Sequence, residues 1–220
     1  GFTGEAFERG ERGIAGGQPV EGGRQAAVDL ARELLAPGAF GDPDAVSEAA
    51  LRLLGTGNLL HPFEGALRFK TIAPEDRPRM ADALRELLHA GGAPGPRFDR
   101  FVESLAVRGT GGAPARPTWP LCTIFSGLFD PATHLFVKPK LLLEQAAVVQ
   151  VTVDYSPLPT STTYQQFLAA ARAVEERLRA AGHQPRDLLD IAAFVSSTLS
   201  ARAAAAAAPA APPVPAPAEP

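Results

Sequence analysis

Prolines at 117, 120, 131 and 139 cut the most aromatic stretch of this chain, TWPLCTIFSGLFDPATHLFVKP at 118–139, into pieces that a long helix cannot span. The same stretch holds the single tryptophan, Trp119, the single cysteine, Cys122, and the rings of Phe125, Phe129 and Phe136. Short apolar pieces bounded by proline, glycine or aspartate read as strands when they are rich in aromatic and β-branched residues. Leu121–Phe125 (LCTIF) and His134–Val137 (HLFV) fit that description, with helix open as the alternative for the first. VQVTVDY at 149–155 adds a period of two.

Around this stretch the pattern is helical. Ala27, Leu30, Ala31 and Leu34 share one face of a helix that begins at Arg24 and is stopped by Pro37-Gly38. Asp42-Pro43 is an N-cap with proline in the first turn and opens a helix through Leu54. His61-Pro62 opens a short one through Phe63, Leu67 and Phe69, and Pro74 a longer one whose Met80, Leu84, Leu87 and Leu88 align. GGAPGP at 91–96 reads as a hinge, and Arg97–Val107 as a further helix.

Pro139 starts a helix through LLLEQAAVV. Thr160–Ala181 is a long helix closed by Gly182, and Arg186–Leu199 a last one, apolar round most of its circumference. The expected fold is therefore mainly α, with α+β as the alternative, its helices surrounding a small strand element near 120–155. The expected division is a glycine-rich arm at 1–23, a helical subdomain at 24–107, a flexible connection at 108–117 and a mixed subdomain at 118–200 packed on the first. An Ala/Pro tail at 201–220, half proline from 209 onward, reads as disordered and partly polyproline in character.

Composition narrows function mainly by exclusion. The apolar runs fall short of the roughly 18 residues that a membrane span needs, and the single cysteine gives no argument for an oxidising compartment. The expected location is the cytoplasm. The chain opens at Gly1 without a secretory signal pattern, which reads as a fragment or processed product. A formal net charge of −3 gives no global attraction to nucleic acid.

Chemistry-bearing motifs are sparse. His61, His89, His134 and His183 lie in different expected elements with no HxxxH or CxxC spacing, so no metal site is expected. Cys122 sits among Leu121, Ile124 and Phe125, where apolar surroundings raise a thiol's pKa and leave it inert. No serine stands in a GxSxG elbow, and no glycine cluster has the order of a phosphate or dinucleotide cradle, so no cofactor is expected. Asp187 and Asp190, like Glu175 and Glu176, read as helix-start or solvated carboxylates.

What remains is a candidate surface of Arg116, Trp119, His134, Lys138 and Lys140. In the strand reading His134 and Lys138 share a face with Phe136 between them. Arg97, Arg100, Arg108, Arg116, Lys138 and Lys140 interleave with Phe101, Trp119, Phe125 and Phe136, a mixture that could meet phosphates and stack on bases. The same rings also read as core.

The residues Trp119-Pro120-Leu121, Thr123, Phe125, Phe129-Asp130-Pro131, His134, Phe136 and Lys138-Pro139, followed by Pro185–Ile191 and Phe194, resemble a bacterial protein family with no known activity. The resemblance implies one architectural unit and carries no catalytic residue or cofactor. Similar closing segments in proteins of restriction or phage defence suggest a nucleic-acid-associated accessory role. The first expectation is nonetheless a non-enzymatic interaction module with a protein partner, motivated by the tail. The nucleic-acid role is the alternative, and an enzyme uniting His134, Lys138 and Asp130 or Asp187 is the third.

Overall fold

In the computed structural model the described residues are 23–56, 60, 65–105, 107–108 and 114–207. The glycine-rich arm before Gly23, His61 with its expected helix start, and residues 109–113 of the connection at 108–117 lie outside them. So does the proline-rich end from 208.

The fold is mainly α, as expected. Helices α1 (Gly23–Leu34), α2 (Pro43–Leu54), the single turn α3 (Ala66–Phe69), α4 (Arg77–His89) and α5 (Pro94–Ser104) form the first half. Helices α6 (Trp119–Phe129), α7 (Pro139–Val149), α8 (Ser161–Ala180) and α9 (Leu188–Ala207) form the second. α9 continues into the alanine run, beyond the expected tail boundary at Ala201, in keeping with alanine's high helix propensity.

The local chemistry that ends these helices is the kind the sequence displays. Asp42 accepts from the Asp44 N–H at 2.9 Å to cap α2, and Thr160 accepts from Thr163 N–H at 3.3 Å to cap α8. α8 closes with Gly182 at φ +89°, its N–H on Arg179 C=O and His183 N–H on Leu178 C=O, the paired bonds of a Schellman ending. One cap crosses between elements: Asp99 of α5 accepts from both the N–H and the hydroxyl of Ser161, at 2.7 and 2.6 Å, at the start of α8.

Two expectations change. GGAPGP is not a free hinge, because Pro94 and Pro96 occupy the first turn of α5, where a missing N–H costs nothing. The strand element near 120–155 does not form. Leu121–Phe125 lies inside α6, whose Pro120 starts the helix rather than breaking it. Residues 134–138 and 151–155 belong to no helix and to no ladder. Among the described residues the only strand pairing is the two-residue antiparallel contact of Val107–Arg108 with Pro114–Ala115.

α6 is the centre of the packing. Every residue from Trp119 to Leu128 is buried, so this helix has no solvent face. It packs on α1, α4 and α9, and buried residues from Ala27 to Val195 form one hydrophobic cluster that includes it. Gly127 lets the chain at Phe136 come close: a Cβ at position 127 would lie 2.9 Å from Phe136 N and 3.2 Å from its Cα. In an open helix Gly→Ala is favourable by about 1 kcal/mol, but here it forces backbone apart. G127A is expected to lower the urea-unfolding free energy, overpacking outweighing the propensity gain by about 1–2 kcal/mol; a more stable variant would refute the close approach.

Candidate functional site

The unusual stretch folds as helix α6, a turn at 131–133 and an irregular segment at 134–138 leading into α7. Leu135, Phe136 and Val137 are all buried, so the segment is covered on both faces and lacks a strand's inside-outside alternation. Buried amides need partners. Here hydroxyls supply them: Leu135 N–H donates to the Tyr164 hydroxyl and Val137 N–H to Thr123 Oγ1, each at 2.9 Å. Thr123 Oγ1–H in turn donates to Trp119 C=O at 2.8 Å.

The aromatic rings above this segment are stacked. Phe98 of α5 lies 4.8 Å from Tyr164 with planes 12° apart and 6.3 Å from Trp119 at 27°. Trp119 also meets Phe167 edge-on at 5.3 Å, and its indole N–H donates to Ser156 C=O at 2.8 Å. Trp119 is thus core on one side and an anchor for the loop before α8 on the other. Phe98, Thr123 and Tyr164 were not singled out as site residues from sequence. A hydroxyl inside the apolar run LCTIF is the signal from which Thr123 could have been found.

His134 is half-buried at the turn. Its N–H closes on Asp130 C=O at 2.9 Å, and its Nδ1 lies 3.5 Å from the Tyr164 hydroxyl. The Leu135 amide already donates to that oxygen, which leaves the phenolic proton for Nδ1 and favours the neutral imidazole. Burial pushes the His134 pKa below its ordinary value; the nearby Asp130 carboxylate opposes the shift and Arg97 adds to it. Burial also pushes Tyr164 up to about 12. Cys122 is fully buried and its thiol is driven far up, so it stays protonated.

The other candidate residues have different surroundings. Lys138 folds back along its own segment, Nζ 5.7 Å from the Phe136 ring centroid. Lys140 and Arg116 are exposed, whereas Trp119 is buried. The structure therefore brings His134, Asp130 and Tyr164 together, and the buried Trp119 does not join Arg116, His134, Lys138 and Lys140 at the surface. Asp187 caps α9, accepting from Leu189 and Asp190 N–H at 2.9 and 3.2 Å, and the buried Asp190 is held by Arg186 at 2.9 Å. The rings invoked for base stacking, Phe101, Trp119, Phe125 and Phe136, are all buried. Arg97 donates to Glu86, Ala90 and Gly92 carbonyls at the end of α4, and Arg100 pairs with Glu86.

No protein-family model, curated protein or solved structure matches this chain. No described helix is long and apolar enough to cross a membrane.

Two outcomes follow from the hydroxyl contacts and the lowered His134 pKa. T123V removes the acceptor for a buried amide at nearly constant volume and is expected to cost about 1–3 kcal/mol in chemical denaturation, with T123S largely restoring stability. Equal stability of T123V and T123S would remove the hydroxyl's assigned role. Because His134 is harder to protonate folded than unfolded, its contribution is complete above the ordinary histidine pKa and is lost as pH falls below it. The unfolding midpoint of wild type should drop more between pH 7.5 and pH 5 than that of H134Q, which cannot titrate; parallel curves would contradict this.

Proposed function

We propose that the chain is a non-enzymatic interaction module whose helical body carries a tethering tail toward a protein partner. The observation that carries this reading is the sequence APAAPPVPAPAEP at 208–220, which follows α9 in the chain. Pro209, Pro212 and Pro215 are spaced by three. A polyproline helix has three residues per turn, so these prolines share one edge when a partner orders the segment. Aromatic-lined grooves recognise such edges.

Two further features support the same reading. α9 begins with Leu188, Leu189 and Ile191 in the core, which gives a tail a firm base. In the body, the polar groups of the unusual stretch are engaged in holding backbone. The cytoplasm is the compartment we assign, supported by the lone thiol of Cys122, which is buried and forms no disulfide. The nucleic-acid alternative draws on exposed Lys140 and Arg116, but its stacking component would need rings other than the four buried ones.

The test compares the full chain with a variant ending at Ala207. A partner captured from native lysate by the full chain should be lost by the shortened one, while both unfold at the same temperature. Fluorescence polarisation of a labelled 205–220 peptide against isolated SH3, WW and EVH1 domains then checks the groove chemistry. Capture unaffected by the truncation, with no peptide binding, would remove the basis of the proposal.

A further inference from the structure

The chain that leaves α6 is held at both ends of a short piece. At one end Asp130 C=O accepts from the N–H groups of Thr133 and His134 at 3.2 and 2.9 Å, Pro131 C=O from Leu188 N–H at 2.9 Å, and Ala132 C=O from the Arg172 guanidinium. At the other end Val137 N–H donates to Thr123 Oγ1 at 2.9 Å. Between them, among the described residues, the backbone is held by a single hydrogen bond, from Leu135 N–H to the Tyr164 hydroxyl at 2.9 Å.

That hydroxyl stands between two nitrogens and has one proton to give. With His134 neutral, the proton goes to Nδ1, 3.5 Å away, while the oxygen accepts from Leu135. An imidazolium carries a proton on both ring nitrogens, so Nδ1 then faces the hydroxyl as a second donor. The oxygen would meet two N–H groups while its own proton loses its acceptor, and among the described residues the hydroxyl has no further partner. Leu135 is 0% exposed and Tyr164 4%, so the shortage falls where water does not relieve it.

The charged groups around the turn do not supply the missing acceptor. Asp130, at the end of α6, favours the imidazolium, and Arg97, of α5, opposes it; neither is bonded to the Tyr164 hydroxyl. The Asp130 carboxylate accepts from the Thr133 hydroxyl at 2.5 Å, and Arg97 is engaged with carbonyls at the end of α4. On α8, Arg172 pairs with Glu175. Burial outweighs Asp130 and holds His134 below its ordinary pKa, so the closed turn takes up a proton less readily than an open one.

We propose that this piece is an acid-operated latch: protonation of His134 releases Leu135 from Tyr164 while Ala132 and Val137 stay held. The opening is local because the bonds at either end, to Leu188, Arg172 and Thr123, involve no group that changes charge near the histidine range. Linkage sets its size. With an ordinary histidine pKa of about 6.5 once open, the open fraction rises by at most about 30-fold from pH 7.5 to pH 5. The latch goes beyond a loss of global stability in acid, which needs no partly open state, and it does not depend on the tail.

Native-state amide exchange of the full chain, read residue by residue by NMR at pH 7.5 and pH 5 with and without sub-denaturing urea, tests this. Rates are taken relative to the unfolded chain at the same pH. Leu135 protection should fall roughly 3- to 30-fold with acid. Urea should leave Leu135 exchange unchanged, because a local opening exposes little surface, and Leu135 should exchange faster than Val137 at both pH values. In H134Q, whose side-chain oxygen takes the phenolic proton without titrating, Leu135 protection should stay level with pH. Acid-insensitive exchange at Leu135 in wild type would overturn the latch, as would an equal acid response in H134Q. So would equal rates at Leu135 and Val137 that urea accelerates together, since acid would then act through unfolding of the whole chain.

Discussion

A helix buried on every side has no polar face with which to satisfy its neighbours, and α6 is such a helix from Trp119 to Leu128. Whatever lies against it must bring its own hydrogen-bond partners or find them among the few hydroxyls available. The segment 134–138 does the latter, placing two amides on Thr123 and Tyr164. That arrangement ties α6 to α8 through a piece of backbone that is neither helix nor ladder. Gly127 is required because hydroxyl-length bonds bring the two backbones nearer than a Cβ permits.

The same constraint explains which side chains in the unusual stretch are available for function. Trp119 spends its indole N–H on Ser156 and its faces on Phe98 and Phe167; His134 faces Tyr164; Lys138 lies over Phe136. A stretch that concentrates rare residue types invites reading as a site, but rarity here reflects packing. Large rings fill the space between helices, and a threonine hydroxyl serves an amide of the adjoining segment. The outward surface of the molecule is elsewhere, at the loop that Trp119 anchors and at Tyr155 and Leu158.

How much of this was legible in the sequence depended on the range of the interaction concerned. Caps and stops are local, so Asp42-Pro43, Thr160, Pro139 and Gly182 marked helix ends correctly. Pro94 and Pro120 were misread as breaks because proline at a helix start and proline in a linker look alike until the following turn is known. LCTIF is short and apolar, a pattern that serves a fully buried helix and a strand equally. The partners of the 134–138 amides come from positions 123 and 164, and no local pattern names them.

The period of two at 149–155 is not answered by a strand: Val149 ends α7, Gln150 is left-handed at φ 61°, and 151–155 pair with no strand. β-branched alternation makes a chain extended; it does not provide the neighbour that turns extension into a sheet. In the 134–138 segment the chain's own hydroxyls replace that neighbour, so a ladder there would be redundant. The two segments differ in burial. Leu135, Phe136 and Val137 are buried, so their amides had to be satisfied for the fold to form, whereas Val151 and Val153 are only partly buried and water can serve backbone groups that no hydroxyl reaches.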